Sequence, residues 1–119
     1  MITKGIRGAI TVENNTAESI EEATLELLNR IIEHNIVEER FISHIIFTVT
    51  EDLNAAFPAK FVRSIPSWSN IAMMCFNELN VPNSLKMCLR VLLVLNCEED
   101  FSPKHVYLKG ANVLRPDLG

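Results

Sequence analysis

From Ser84 to Asn96 (SLKMCLRVLLVLN) the chain alternates, with Leu85, Met87, Leu89, Val91, Leu93 and Leu95 on one face. This is the pattern of a strand with one side committed to a core. The other face reads Lys86, Cys88, Arg90, Leu92, Val94 and Asn96, which plants a guanidinium mid-strand. Such a charge is costly unless it meets an anion or water. Glu78, in a loop-like stretch (NELNVPN) upstream, has two readings. Either it neutralises Arg90 permanently, or it helps to place Arg90 for an anionic ligand. The pattern alone leaves both open.

The same reading applies to the rest of the chain. Ile2–Val12 alternates as a strand, with Ile2, Ile6, Ile10 and Val12 on one face and Thr3, Gly5, Arg7, Ala9 and Thr11 on the other. Here a second strand arginine, Arg7, has very small neighbours that leave room for something to approach. Asn15 or Thr16 is expected to cap a helix running to about Glu33, with a stripe of Ile20, Ala23, Leu27, Leu28, Ile31 and Ile32. The acidic residues of that helix are weighted to its N-terminal half, as the helix dipole favours. Phe41–Thr50 reads as a central strand, and His44 within it as a sheet-face histidine. Pro58 suits the first turn of a short helix that places Lys60 and Arg63 on one face and ends by Pro66. Ile71–Cys75 and His105–Lys109 complete the strands, and 111–119 is a tail with a mobile character.

The expected architecture is therefore an α/β (α+β) domain with a single mixed sheet and two helices. Its apolar faces are too many for two helices to cover, which points to subunit contacts.

Composition narrows the function classes. One domain spans the 119 residues, 48% of them hydrophobic, enough to bury a core. A formal charge of −4 argues against a phosphate-backbone binder, so no nucleic-acid partner is expected. No run is long and apolar enough to span a bilayer, and MITKGIRGAITVENN lacks the apolar core of an export signal. Cys75, Cys88 and Cys97 are odd in number and lack metal-type spacing. Reduced thiols in a cytoplasmic protein, with no metal and no membrane partner, are the expectation.

Neither a glycine-rich phosphate loop nor a CxxC is present, and no serine sits on a nucleophile elbow. Cys75 ends an apolar strand, a setting that more often hides an inert thiol. What the chain does hold is cations in unusual places: Arg7 and Arg90 on strands, Lys60 and Arg63 on one helical face. Together they suit a small ligand with several carboxylates, which arginine can grip bidentately without losing its charge.

Five segments, KGIRGAITVE, DLNAAFPAKFVR, MMCFNEL, LKMCLRVLLVLN and HVYLKGANVLRPDL, resemble the AroH-class, barrel-type chorismate mutases. The likeness runs in one register from Ile6 to Leu118, with only the 97–104 turn altered in length. It implies a homotrimer whose sheets form a pseudo-α/β-barrel, with clefts between neighbouring subunits. It also implies a cofactor-free pericyclic conversion of chorismate to prephenate, on the route to phenylalanine and tyrosine.

By this resemblance Arg90 sits by the ether oxygen, while Arg7 and Tyr107 bind carboxylate. Glu78 and the Cys75 region hold the ring hydroxyl and the developing positive ring. Phe57 lines the ring pocket from the adjacent chain. Lys60, Arg63 and Arg115 supply positive potential at the mouth, and Ala59, Met74 and Leu114 are further substrate-binding positions. Met74 departs from the pattern, since relatives commonly carry a small hydroxyl residue there. Two rivals are a RidA-like trimeric imine deaminase and a non-catalytic trimer that binds small carboxylates. The motif set from FPAK to RPDL argues against the first.

Overall fold

A computed structural model describes residues 1–115; the last four residues of the expected tail lie outside them. The strands are β1 (Ile2–Thr11), β2 (Ile42–Val49), β3 (Ala72–Asn77), β4 (Cys88–Cys97) and β5 (Val106–Leu108), and the helices α1 (Ala17–Asn35) and α2 (Pro58–Arg63). They form one mixed sheet in the order β3-β2-β4-β1-β5. At its centre β4 runs antiparallel to both β1 and β2, and each edge strand is parallel to its neighbour. Among the described residues no helix is long and apolar enough to cross a membrane.

The core lies on the helix side of the sheet. Ile6 and Ile10 of β1, Ile45 and Phe47 of β2, and Leu89 and Leu93 of β4 are fully buried against Ile20, Leu27 and Ile31 of α1 and Val62 of α2. The expected stripe of α1 is the buried one. Thr16 is its N-cap, accepting the Ser19 N–H at 3.1 Å, and the helix runs two residues beyond Glu33 to end before Ile36 in the left-handed conformation (φ 52°). Helix α1 comes so close to β1 that a Cβ on Gly8 would lie 2.9 Å from Ile31 Cδ1, and it would also meet the carbonyl oxygen of Val106 on the neighbouring β5 at 3.2 Å.

Neither α1 nor α2 covers the other face of the sheet. It presents Met74 and Phe76 of β3, both exposed, with half-buried Ile46 of β2 and Leu92 and Val94 of β4. This is the surplus apolar surface expected from the sequence pattern.

One expected element is shorter than its alternation suggests. The strand read from Ser84 begins only at Cys88, because Asn83 (φ 67°) and Met87 (φ 50°) turn left-handed. As a result Leu85 and Met87 do not share a face. Met87 packs against the main core, while Leu85 joins a small cluster with Ala9, Cys88 and Ala111. The start of the expected tail is likewise ordered, since Lys109–Leu114 forms a 3-10 helix.

Gly8→Ala should destabilise the protein by roughly 1–3 kcal/mol through overpacking, because the Val106 carbonyl cannot move aside as a side chain can. Urea unfolding monitored by the buried Trp68 would measure it.

Candidate active site

The pairing registers draw one row across the sheet. Phe76 stands opposite Thr48, Thr48 opposite Arg90, Arg90 opposite Ala9, and Ala9 opposite Tyr107. All five side chains project from the open face, since their strand neighbours Cys75, Phe47, Leu89 and Ile10 pack into the core. The next row, Met74, Ile46, Leu92 and Arg7, sets Arg7 beside Arg90 on the same face.

Arg90 is the centre of this arrangement. Its Nε lies 3.5 Å from Glu78 Oε1, close enough for an ion pair yet without the geometry of a hydrogen bond. The Nε–H is buried and has no hydrogen-bond partner. The same Glu78 Oε1 accepts a hydrogen bond from the Thr48 hydroxyl, and the Glu78 backbone N–H donates to the Val49 carbonyl at 2.9 Å. A buried donor on a charged group is expensive to leave unmade. The protein therefore fixes a cation and withholds full neutralisation.

Two further groups shape the surroundings. Cys88, two residues before Arg90 on the same face, is completely buried. Burial pushes its thiol up, against the pull of the Arg90 guanidinium, so it stays neutral beside the cation. Ala9 and Ala111 are both fully buried and pack with Cys88. Their small side chains let the Lys109–Leu114 turn settle over the open face, tied by Gly110 N–H to Thr11 Oγ1 at 2.9 Å. Leu114 and Tyr107 pack onto the same cluster. At the sheet edge the Arg7 N–H donates to His105 Nδ1 at 2.9 Å, just where the β1–β5 ladder begins.

The remaining candidates lie elsewhere. Cys75 packs on the core side, and with Phe57, Pro58 and Asn77 it lines a cavity of about 300 Å³ at the β3 edge. Ala59 is buried in the core. Phe57, Lys60 and Arg63 are exposed on and before α2, which packs against α1 and β3. Within one chain the structure thus assembles Arg90, Glu78, Arg7, Tyr107, Leu114 and Met74 on the open face, and leaves the α2 cations apart from them. Thr48, Cys88 and His105 were not singled out as site residues. Alternation around Arg90 points to Cys88, but Thr48 and His105 become visible only through strand pairing.

Residues 3–118 match the family described as chorismate mutase type I. The chain belongs to that family. Chorismate mutase AroH of Bacillus subtilis (strain 168) is 40% identical over 119 residues, covering 99% of this chain and 94% of the relative. The enzyme of the same name from Thermus thermophilus is 44% identical, covering 98% and 97%. A solved chorismate mutase from Clostridium thermocellum superposes with a TM-score of 0.85 at 48% identity, over 92% of this chain and 98% of that one. The α+β fold read from the sequence is that of a chorismate mutase.

His105 sits below its ordinary value of 6.5, first through burial and then through Arg7 and Arg115, which disfavour the imidazolium. A depressed folded value means the unfolded chain takes up the proton more readily. The contribution of His105 is therefore complete above about pH 6.5 and is lost as pH falls through the folded value. Stability should drop more between about pH 7.5 and pH 5 in the wild type than in His105→Asn, whose ring-free side chain cannot titrate. Equal drops in urea midpoint would contradict this.

Proposed function

We propose that this protein is a chorismate mutase that rearranges chorismate to prephenate with Arg90 as its fixed cation. The observation that carries the reading is the buried Arg90 Nε–H without a hydrogen-bond partner, held on the central strand 3.5 Å from a carboxylate that is itself engaged by Thr48. In this rearrangement a C–O bond breaks and a C–C bond forms within one molecule. No proton, hydride or leaving group changes hands, so a nucleophile or general acid has no step to perform. Negative charge grows on the ether oxygen as the bond stretches, and a preorganised cation in a desolvated site stabilises that charge more than it stabilises the ground state.

Arg7 binds a substrate carboxylate in this reading, with Tyr107 alongside, while Glu78 and the Cys75 backbone region face the ring hydroxyl. Met74, one row away from Arg90, borders the ring. Leu114 and Arg115 close the C-terminal side. Holding the compact conformer supplies the rest of the acceleration.

The working unit we infer is a homotrimer. The uncovered apolar face needs a partner, and the exposed Phe57, Lys60 and Arg63, apart from Arg90 within a chain, would complete the cleft from a neighbouring subunit. Three unpaired cysteines fit a cytoplasmic setting.

Purified protein incubated with chorismate should make its absorbance disappear well above the uncatalysed rate; no acceleration overturns the reading. Arg90→Gln, which keeps a polar side chain and removes the charge, should lose about 3–4 kcal/mol of transition-state stabilisation, most of it in kcat. Lys60→Ala and Arg63→Ala should weaken kcat/KM, with a smaller deficit at high salt. Loss confined to kcat would contradict that assignment.

A further inference from the structure

Between Glu78 and Met87 the chain makes a loop whose two ends meet at the end of β2. Glu78 N–H donates to the Val49 carbonyl at 2.9 Å. At the other end Met87 N–H donates to both carboxylate oxygens of Asp52, at 3.2 and 3.0 Å. The Met87 carbonyl accepts from Val12 N–H at 2.7 Å, so this one residue is held through both its N–H and its carbonyl. Thr50 completes the neck: its hydroxyl donates to Asp52 and accepts from Cys88 N–H, and its own N–H reaches the Cys88 carbonyl at 3.0 Å.

Beyond this neck the loop is held by Leu85, packed with Ala9, Cys88 and Ala111, and by Met87 on the main core. Leu79 is 83% exposed and Val81 55% exposed, and between the loop and Thr50–Asp52 lies a cavity of about 230 Å³. Met87, moreover, has φ 50°, a conformation that costs about 1–3 kcal/mol in a residue with a Cβ and persists only where its surroundings impose it. The groups that hold Met87 are Asp52, at its N–H, Val12, at its carbonyl, and the core against its side chain. Among the described residues Asp52 is in no ion pair; its carboxylate oxygens accept from N–H and O–H donors. Both members of the central pair hang on this neck, Glu78 at its first residue and Arg90 three residues beyond its last.

We propose that Asp52 is the positioning residue of the Arg90–Glu78 pair, holding Met87 left-handed so that the loop returns in the register that sets Glu78 against the guanidinium. This rests on the reading of Arg90 as the working cation. Without the carboxylate, Met87 relaxes to an ordinary negative φ, the neck opens and Glu78 shifts relative to Arg90. A displacement of that kind costs far more in turnover than in substrate capture, because the misplaced charge matters only as the bond breaks.

Asp52→Ala should lower kcat by roughly tenfold or more with KM within about threefold of wild type. Asp52→Asn, which keeps one acceptor for the Met87 N–H, should lose less. Met87→Gly in the Asp52→Ala background should recover most of the loss, since glycine adopts positive φ without a clamp. Should Asp52→Ala fail to fold, Asp52→Asn with and without Met87→Gly decides the matter in the same way. Wild-type kcat in the folded Asp52 variants, or a loss that Met87→Gly leaves untouched, overturns the proposal; a merely structural carboxylate would lower the melting temperature alone. The NMR signal of the Arg90 Nε–H reports position without turnover and should move in the Asp52 variants. A signal that stays put overturns the positioning role, whereas full activity in Arg90→Gln overturns the reading of the site instead.

Discussion

A positive charge on the middle strand of a five-stranded sheet is the constraint to which the rest of this structure answers. Arg90 has core packing behind it, through Leu89 and Val91, and its Nε–H is buried although the side chain as a whole is 39% exposed. Among the described residues its ion-pair partner is Glu78, whose Oε1 stands 3.5 Å from Nε and also accepts from the Thr48 hydroxyl. A closer, bidentate pair would satisfy the guanidinium and leave nothing for a ligand. The observed pair is a compromise in which desolvation is tolerated without being fully offset.

The neighbours of Arg90 fit that compromise. Cys88 fills space beside the cation and stays neutral, because burial outweighs the pull of the guanidinium. Ala9 and Ala111 are small enough for the C-terminal turn to lie over the sheet, which carries Leu114 and Arg115 toward the row that Tyr107 ends. His105 holds the Arg7 backbone from the edge strand. Each of these residues bears on the geometry or the electrostatics around the two strand arginines.

How much of this could be read from the sequence depends on the range of the interaction. The stripe and cap of α1 are local and were legible almost to the residue. Alternation gave the core face of β4 from Leu89 onward and put Arg90 and Cys88 together on the other face. It misled at Leu85 and Met87, where the chain turns left-handed at Met87 and the Met87 N–H donates to the distant Asp52 carboxylate, a pairing that no propensity scale records. The row from Phe76 to Tyr107 was out of reach, because it depends on registers between residues as distant as Ile2 and Cys97. Arg90, Glu78 and Arg7 stood out as candidates through unusual placement and family likeness. Thr48 and His105, ordinary in sequence, did not.

The strand order also bears on how the molecule comes into being. The two sheet neighbours of β1 are β4 and β5, so the first strand to be synthesised waits for partners drawn from the last third of the chain. Until Cys88–Cys97 emerges, β1 and the β2–β3 pair have no common member, and their apolar faces stay without the strand that joins them. Closure of the sheet is thus a late, long-range event in biogenesis, the kind of topology that folds slowly and leans on protection while it is incomplete.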